Sequence, residues 1–78
     1  MKLTQKQFDI VGWWLDIANN DDNWYYTETK NGDTKIFMRK PVAGVDSADP
    51  EYWGEPKDIT ETVIAGFKTQ LVYEFIGE

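Results

Sequence analysis

Between residues 46 and 55 the chain places four carboxylates around a pair of adjacent aromatic residues. None of the four is needed as a helix cap. Carboxylates at the rim of a contact attract basic groups and accelerate association, whereas aromatic side chains buried at its centre keep the complex together. The sequence therefore predicts a partner-binding site made of Asp46, Asp49, Glu51, Tyr52, Trp53 and Glu55.

The chain contains no His and no Cys, which removes the commonest general base, the thiolate nucleophile and the usual zinc ligands. A carboxylate pair could still catalyse a reaction, but it needs a cleft with two unequal environments, and 78 residues leave little room for one. Residues 19–23 and 46–51 are rich in oxygen ligands, yet neither segment has the calcium-ligand spacing of an EF-hand, and turn formation explains both. We expect no catalytic residue, cofactor or metal site.

The net charge of −6 lies entirely in the second half of the chain. Up to Lys40 six acids balance six bases, whereas from Pro41 onward eight acids accompany two lysines. An acidic surface repels nucleic acid and anionic membranes and favours basic partners. No apolar run is long enough to span a membrane and no signal-peptide pattern is present, so we expect a cytoplasmic protein that binds neither nucleic acid nor membranes directly.

Residues 4–19 predict an N-terminal helix with a well-specified start. Thr4 and Gln7 have the spacing of a capping box, and Leu3 and Phe8 have that of a hydrophobic staple. Asparagines and aspartates at residues 19–23 predict that the helix ends near residue 19.

The apolar residues of this helix cover about 220° of its circumference, roughly twice what a surface helix needs. Left bare, the side formed by Ile10, Trp13 and Ile17 would be an adhesive patch. We expect a second element or another chain to cover it, so the protein could be a homodimer.

Asn31-Gly32 predicts a two-residue type I′ turn between strands at Trp24–Lys30 and residues 33–40. This loop length sets the register, which places Glu28 opposite Lys35 and Trp24 opposite residue 39. Three aromatic residues share one face of the hairpin, namely Trp24, Tyr26 and Phe37. Tyr25, Thr27, Ile36 and Met38 share the other. One face is expected to pack on the helix, and the sequence leaves the other unassigned.

Residues 41–57 contain all three prolines and predict a long acidic loop, which its aromatic pair should fold onto the body of the protein. Residues 42–45 could add a short third strand. Residues 58–76 predict a C-terminal helix packed on the sheet, with Asp58 and Glu61 as a capping box, although a final strand at residues 71–76 is the alternative. The expected fold is therefore α+β, in a single domain over residues 1–78.

In composition the chain resembles many small phage-encoded inhibitors of host nucleases and defence complexes, which are likewise short, acidic and aromatic-rich. The resemblance implies a non-enzymatic binding protein of the anti-CRISPR or anti-restriction type, which inhibits or modulates a larger protein or ribonucleoprotein through its basic surface. The clustered aromatic residues leave two alternatives: they form the core, or some are exposed and make a carbohydrate- or peptide-binding module. A carboxylate-based enzyme is a minor third.

Overall fold

The computed structural model describes residues 1–77 and confirms the predicted α+β class. The elements follow one another as α1 (Gln5–Ala18), β1 (Trp24–Lys30), β2 (Asp33–Arg39), β3 (Lys57–Asp58), α2 (Thr60–Thr69) and a 3₁₀ turn (Tyr73–Phe75). The strands form an antiparallel sheet in the order β1-β2-β3. Both helices pack against one face of this sheet, which we call the inner face, and the opposite face is the outer face.

The start of α1 has the predicted capping box. Thr4 Oγ1 accepts the N–H of Gln7 at 3.1 Å, and Gln7 Oε1 accepts the N–H of Thr4 at 2.9 Å. Gln7 is only 1% exposed, and its Nε2 also donates to the carbonyl of Glu74 at 2.6 Å. One buried amide therefore joins the first turn of α1 to the C-terminal 3₁₀ turn.

The hairpin has the predicted register throughout, from Trp24 opposite Arg39 to Lys30 opposite Asp33. Asn31 and Gly32 have φ values of 56° and 79°, the positive values that a type I′ turn requires at both central positions. Strand β2 ends at Arg39, one residue earlier than expected.

The residue that follows α1 forms hydrogen bonds with the free edge of the sheet. Asn19 follows the last helical residue, as predicted. Its side-chain Oδ1 accepts the N–H of Tyr25 at 2.6 Å, and its Nδ2 donates to the carbonyl of Tyr25 at 3.1 Å. The side-chain amide thus pairs with the free edge of β1, the edge that does not face β2, as one residue of a neighbouring strand would.

The C-terminal helix packs on the sheet as predicted, but the predicted range of residues 58–76 is too long. Helix α2 ends at Thr69, and Leu71 has a φ of 60°, so the chain turns back instead of continuing. The 3₁₀ turn then places Phe75 fully inside the core, where its ring stacks on Phe67 with 4.8 Å between centroids. The apolar residues at every fourth position, which are Ile59, Val63, Phe67, Leu71 and Phe75, therefore do not belong to one helix. The alternative of a final strand at residues 71–76 is wrong as well.

The predicted capping box at the start of this helix is also wrong. The helix begins after Ile59 without a side-chain cap. Asp58 belongs instead to β3, where its Oδ1 accepts the N–H of Thr60 at 2.9 Å and the Thr60 hydroxyl at 2.7 Å. Pairing of β3 with β2 at Phe37 fixes Asp58 in the sheet and moves the helix start forward.

The third strand lies at Lys57–Asp58 and not at residues 42–45. Residues 42–45 form a turn, in which the N–H of Val45 donates to the carbonyl of Val42 at 3.2 Å and Gly44 has a φ of 82°. A positive φ interrupts an extended strand. The turn sends the loop outward before it returns beside Pro41, which forms an isolated bridge with Trp53.

The core lies between the two helices and the inner face. Its buried apolar residues are Val11, Ile36, Val63, Ile64, Phe67 and Phe75. Trp14 closes one end, with its ring edge-on to Tyr25 at 5.0 Å and to Phe67 at 6.3 Å.

The wide apolar side of α1 is only half covered. Helix α2 lies beside it, yet Trp13 and Ile17 are each 62% exposed. Coverage by a second element is therefore wrong for these two residues, while coverage by another chain stays a prediction. Within residues 1–77, neither helix has the length and apolar character that a membrane span requires.

Candidate functional site

Aromatic rings form a continuous row across the outer face of the sheet and onto the loop. Strand alternation and register bring together Trp24, Tyr26 and Phe37, with ring centroids 5.2 Å apart for the first pair and 5.5 Å for the second. Trp53 lies 5.8 Å from Trp24, and Tyr52 lies 5.2 Å from Trp53. We call these five residues the aromatic row.

Arg39 lies across the middle of this row. Its Cζ is 5.7 Å from the ring centroid of Trp24 and 5.8 Å from that of Tyr26, and its Nε donates to the Tyr26 hydroxyl at 3.4 Å. A guanidinium at this distance is attracted to the ring faces. Trp24 is 41% exposed whereas the other four rings are half-buried, so the row is a supported surface with one prominent ring.

Backbone hydrogen bonds close the loop next to the end of β2, and its aromatic residue Trp53 folds onto the sheet as the sequence predicted. The N–H of Val42 donates to the carbonyl of Tyr52 at 2.7 Å, and the N–H of Gly54 donates to the carbonyl of Lys40 at 2.9 Å. A Cβ at Gly54 would lie 3.3 Å from Val42 Cγ2 and 3.4 Å from the Lys40 oxygen, so glycine allows this close approach. The result places Trp53 against Trp24.

The structure divides the predicted site into two parts. Glu51, Trp53 and Glu55 line one hollow of about 540 Å³ together with Arg39. Tyr52 adjoins this hollow through its ring contact with Trp53.

The other two predicted residues, Asp46 and Asp49, do not line the hollow. Asp46 Oδ1 accepts the N–H of Ala48 at 2.9 Å, and Asp49 Oδ1 accepts the N–H of Glu51 at 2.8 Å. Both carboxylates therefore stabilise turns, as the sequence analysis predicted for residues 46–51, and neither caps a helix.

The four loop carboxylates are nevertheless available to a partner. All are exposed, and none forms an ion pair with another residue in the range 1–77. Their charge is therefore screened by solvent rather than neutralised by the protein.

The predicted partner-binding site did not include four residues of this surface, which are Trp24, Tyr26, Phe37 and Arg39. The predicted register already placed the three rings on one face, which was the signal that could have identified them. The contact between Trp53 and Trp24 had no such signal, because it depends on the path of the loop.

The described residues offer little acid–base or metal chemistry. Among residues 1–77, no group of three or more His, Cys, Asp or Glu side chains is placed to hold a metal ion. Hydrogen bonds from the Thr60 hydroxyl and N–H lower the pKa of Asp58 below its ordinary value. This shift keeps Asp58 ionised, whereas a carboxylic acid that donates a proton near neutral pH needs a raised pKa.

The surface therefore consists of a supported row of rings beside exposed carboxylates, an arrangement suited to binding. The chain matches no protein family, no curated protein and no solved structure.

Proposed function

We propose that this protein is a non-enzymatic binding protein that inhibits or modulates a larger protein or ribonucleoprotein with a basic, nucleic-acid-binding surface. The observation that carries the proposal is the aromatic row beside the exposed carboxylates of the acidic loop. Basic side chains of the partner meet the carboxylates, and apolar groups of the partner cover the rings.

The carboxylates supply attraction at a distance. They lie in the half of the chain that carries the whole net charge of −6, so a basic surface is drawn toward this end of the molecule. The attraction is electrostatic and solvent-exposed, and it weakens as salt rises. Carboxylates that occupy a basic groove exclude the phosphates that the groove otherwise holds, which is a physical route to inhibition.

The rings supply the lasting contact. Trp24 is the most exposed ring of the row; Arg39 lies over one of its faces, and the Tyr26 ring packs against it at 5.2 Å. A ring that is already ordered loses little conformational entropy when a partner covers it. Tryptophan is also among the residues that contribute most binding energy at protein interfaces.

The alternative of a carbohydrate-binding surface has less support. A sugar stacks on an open ring face, whereas Arg39 already lies over Trp24 and Tyr26. Several neighbouring rings also meet edge-on, with 60° between Trp24 and Trp53 and 81° between Tyr52 and Trp53.

The anti-CRISPR or anti-restriction role and the cytoplasmic location are parts of the proposal that rest on composition.

The test begins with capture of nucleic-acid-binding proteins from a bacterial lysate, followed by association and dissociation kinetics at low and high salt. The double reversal Glu51→Lys with Glu55→Lys should slow association at least about tenfold at low salt and less at high salt. Trp24→Ala should speed dissociation about thirtyfold, the equivalent of ~2 kcal/mol. A captured nuclease should also release a labelled oligonucleotide when the unmodified protein is added.

The matched control is the double reversal Asp9→Lys with Asp16→Lys, which makes the same change in net charge on α1, on the opposite side of the sheet from the aromatic row. It should slow association much less. Circular dichroism should show that all variants are folded. Binding that is indifferent to salt and to both sets of substitutions would exclude this surface, and selective binding to a glycan array without any protein partner would favour the carbohydrate alternative.

A further inference from the structure

The hollow at the loop end of the aromatic row combines carboxylates with a tryptophan ring. Glu51, Trp53 and Glu55 line it from alternate positions of one segment, and Arg39 lines it from the end of β2. Within residues 1–77, neither glutamate forms an ion pair. Two carboxylates against one guanidinium leave the lining negative, so the hollow attracts a further cation.

Arg39 does not serve as that cation, although it lies in the same hollow. Its Cζ is 5.7 Å from the ring centroid of Trp24 and 5.8 Å from that of Tyr26, and its Nε donates to the Tyr26 hydroxyl at 3.4 Å. The guanidinium is therefore engaged with the rings of the sheet. Glu51 and Glu55 are left to a cation from outside the described chain.

The Trp53 ring is supported by its neighbours without being stacked flat on either of them. Trp24 and Tyr52 meet it at 60° and 81°. Trp53 is half-buried and lines the hollow, so a flat cationic group in the hollow can lie against it. Among aromatic side chains, tryptophan attracts a cation most strongly.

The remaining walls of the hollow are largely apolar and favour arginine over lysine. They include Val42, Val45, Pro50 and Pro56. A lysine ammonium is strongly hydrated and loses water in such surroundings, whereas a guanidinium is weakly hydrated, stacks on rings and donates to carboxylates in pairs. The volume of about 540 Å³ lies in the range of pockets that enclose a small ligand.

Backbone contacts arrange the hollow before anything binds. The N–H of Val42 donates to the carbonyl of Tyr52 at 2.7 Å and the N–H of Gly54 to the carbonyl of Lys40 at 2.9 Å, which fixes the chain on both sides of Trp53. A site that is already ordered loses little conformational entropy on binding.

We propose that this hollow is a guanidinium-binding pocket that receives one arginine side chain of the partner. The guanidinium lies against the Trp53 ring and donates to Glu51 and Glu55, while the aliphatic part of the side chain contacts the apolar walls. This assignment rests on the proposed function and names the group by which the partner is recognised. Arginine is a preferred phosphate ligand of nucleic-acid-binding surfaces, so a pocket that occupies one removes a contact that nucleic acid needs.

Titration with two small probes, Nα-acetyl-arginine amide and Nα-acetyl-lysine amide, tests the pocket at constant ionic strength. Both carry one positive charge, and binding is followed by the NMR signal of the Trp53 indole N–H. The arginine probe should bind at least about fivefold more tightly than the lysine probe. The double substitution Glu51→Gln with Glu55→Gln should weaken the arginine probe at least about tenfold, because neutral amides lose the charge-assisted hydrogen bonds. Asp9→Asn with Asp16→Asn removes the same charge from α1 and should change its affinity by less than about twofold.

The pocket is overturned if both probes bind equally well, or if the glutamine variant binds the arginine probe as the α1 control does. The probe titration and the partner capture can fail separately. Salt-dependent capture of a basic partner without a preference for arginine would keep the proposed function and remove the pocket. A preference for arginine that depends on both glutamates, in a protein that captures no nucleic-acid-binding partner, would keep the pocket and remove the proposed function.

Discussion

Replacing Gln7 by methionine should reveal how much a single buried amide contributes to this fold. Methionine is an unbranched side chain of similar size, so the substitution keeps the packing and removes the polar atoms. Gln7 is 1% exposed, its Oε1 accepts the N–H of Thr4, and its Nε2 donates to the carbonyl of Glu74. The variant leaves both of those backbone groups without these partners.

The magnitude follows from what each group loses. The reciprocal half of a capping box is worth about 0.5–1 kcal/mol, within the range measured for helix caps. A partly buried carbonyl deprived of its partner costs about 1–3 kcal/mol. We therefore expect Gln7→Met to lower the free energy of unfolding by about 1.5–4 kcal/mol, which corresponds to roughly 6–30 °C in the melting temperature of a domain of this size.

Gln5→Met is the matched control. Gln5 lies two residues earlier in the same helix, and its Nε2 donates to Asp9 Oδ1 at 2.9 Å on the exposed surface. Losing an exposed helix pair should cost less than about 0.5 kcal/mol. Both variants can be compared by urea unfolding followed by tryptophan fluorescence.

A second substitution separates the hydrogen bonds from the packing. Gln7→Glu presents an ionised carboxylate to the Glu74 carbonyl at neutral pH, but a protonated one can donate to it. Its stability relative to the unmodified protein should rise as pH falls below about 6. If Gln7→Met costs no more than Gln5→Met, the buried amide does not connect α1 to the C-terminal turn in the way described.

Two further predictions concern the hairpin turn and the third strand. Gly32→Val should lower the free energy of unfolding by at least about 1–2 kcal/mol, because φ at this position is 79° and a β-branched residue resists a positive φ. Gly32→Asn should cost less, since asparagine tolerates a positive φ better. Equal melting temperatures for Gly32→Val and the unmodified protein would contradict the turn assignment. Asp58 has a lowered folded-state pKa, so its contribution to stability is complete above the unfolded pKa of about 3.9 and is lost as pH falls through the lower folded value. Asp58→Asn keeps an acceptor that does not titrate, so its stability relative to the unmodified protein should improve below about pH 4, and parallel pH profiles would refute this role.

The parts of the fold that were predictable are those in which the signal is local. Thr4 and Gln7 specify the helix start within four residues, and Asn31-Gly32 specifies the turn and with it the register of both strands. Capping and turn geometry depend on neighbours in sequence, so one chain is enough to recognise them.

The parts that were missed depend on packing between distant residues. The chain leaves the helical path at Leu71 because Phe75 then reaches a site against Phe67. Apolar residues at every fourth position cannot show that reversal. Strand β3 is two residues long and forms only because it pairs with β2. The strand propensity of its own residues therefore does not predict it. The docking of Trp53 on Trp24 likewise follows from the path of a loop.

The pairing of Asn19 with the free edge of β1 bears on how this protein behaves when it is concentrated. An open edge strand offers its backbone groups to any other extended chain, and β1 is rich in the aromatic and threonine residues that favour such pairing. The Asn19 amide already binds the N–H and the carbonyl of Tyr25. An incoming strand therefore cannot pair with β1 at this position, which is the end of β1 nearest to α1. A side chain at the end of a helix thereby protects the sheet from edge-to-edge aggregation, while its aromatic outer face stays open to solvent.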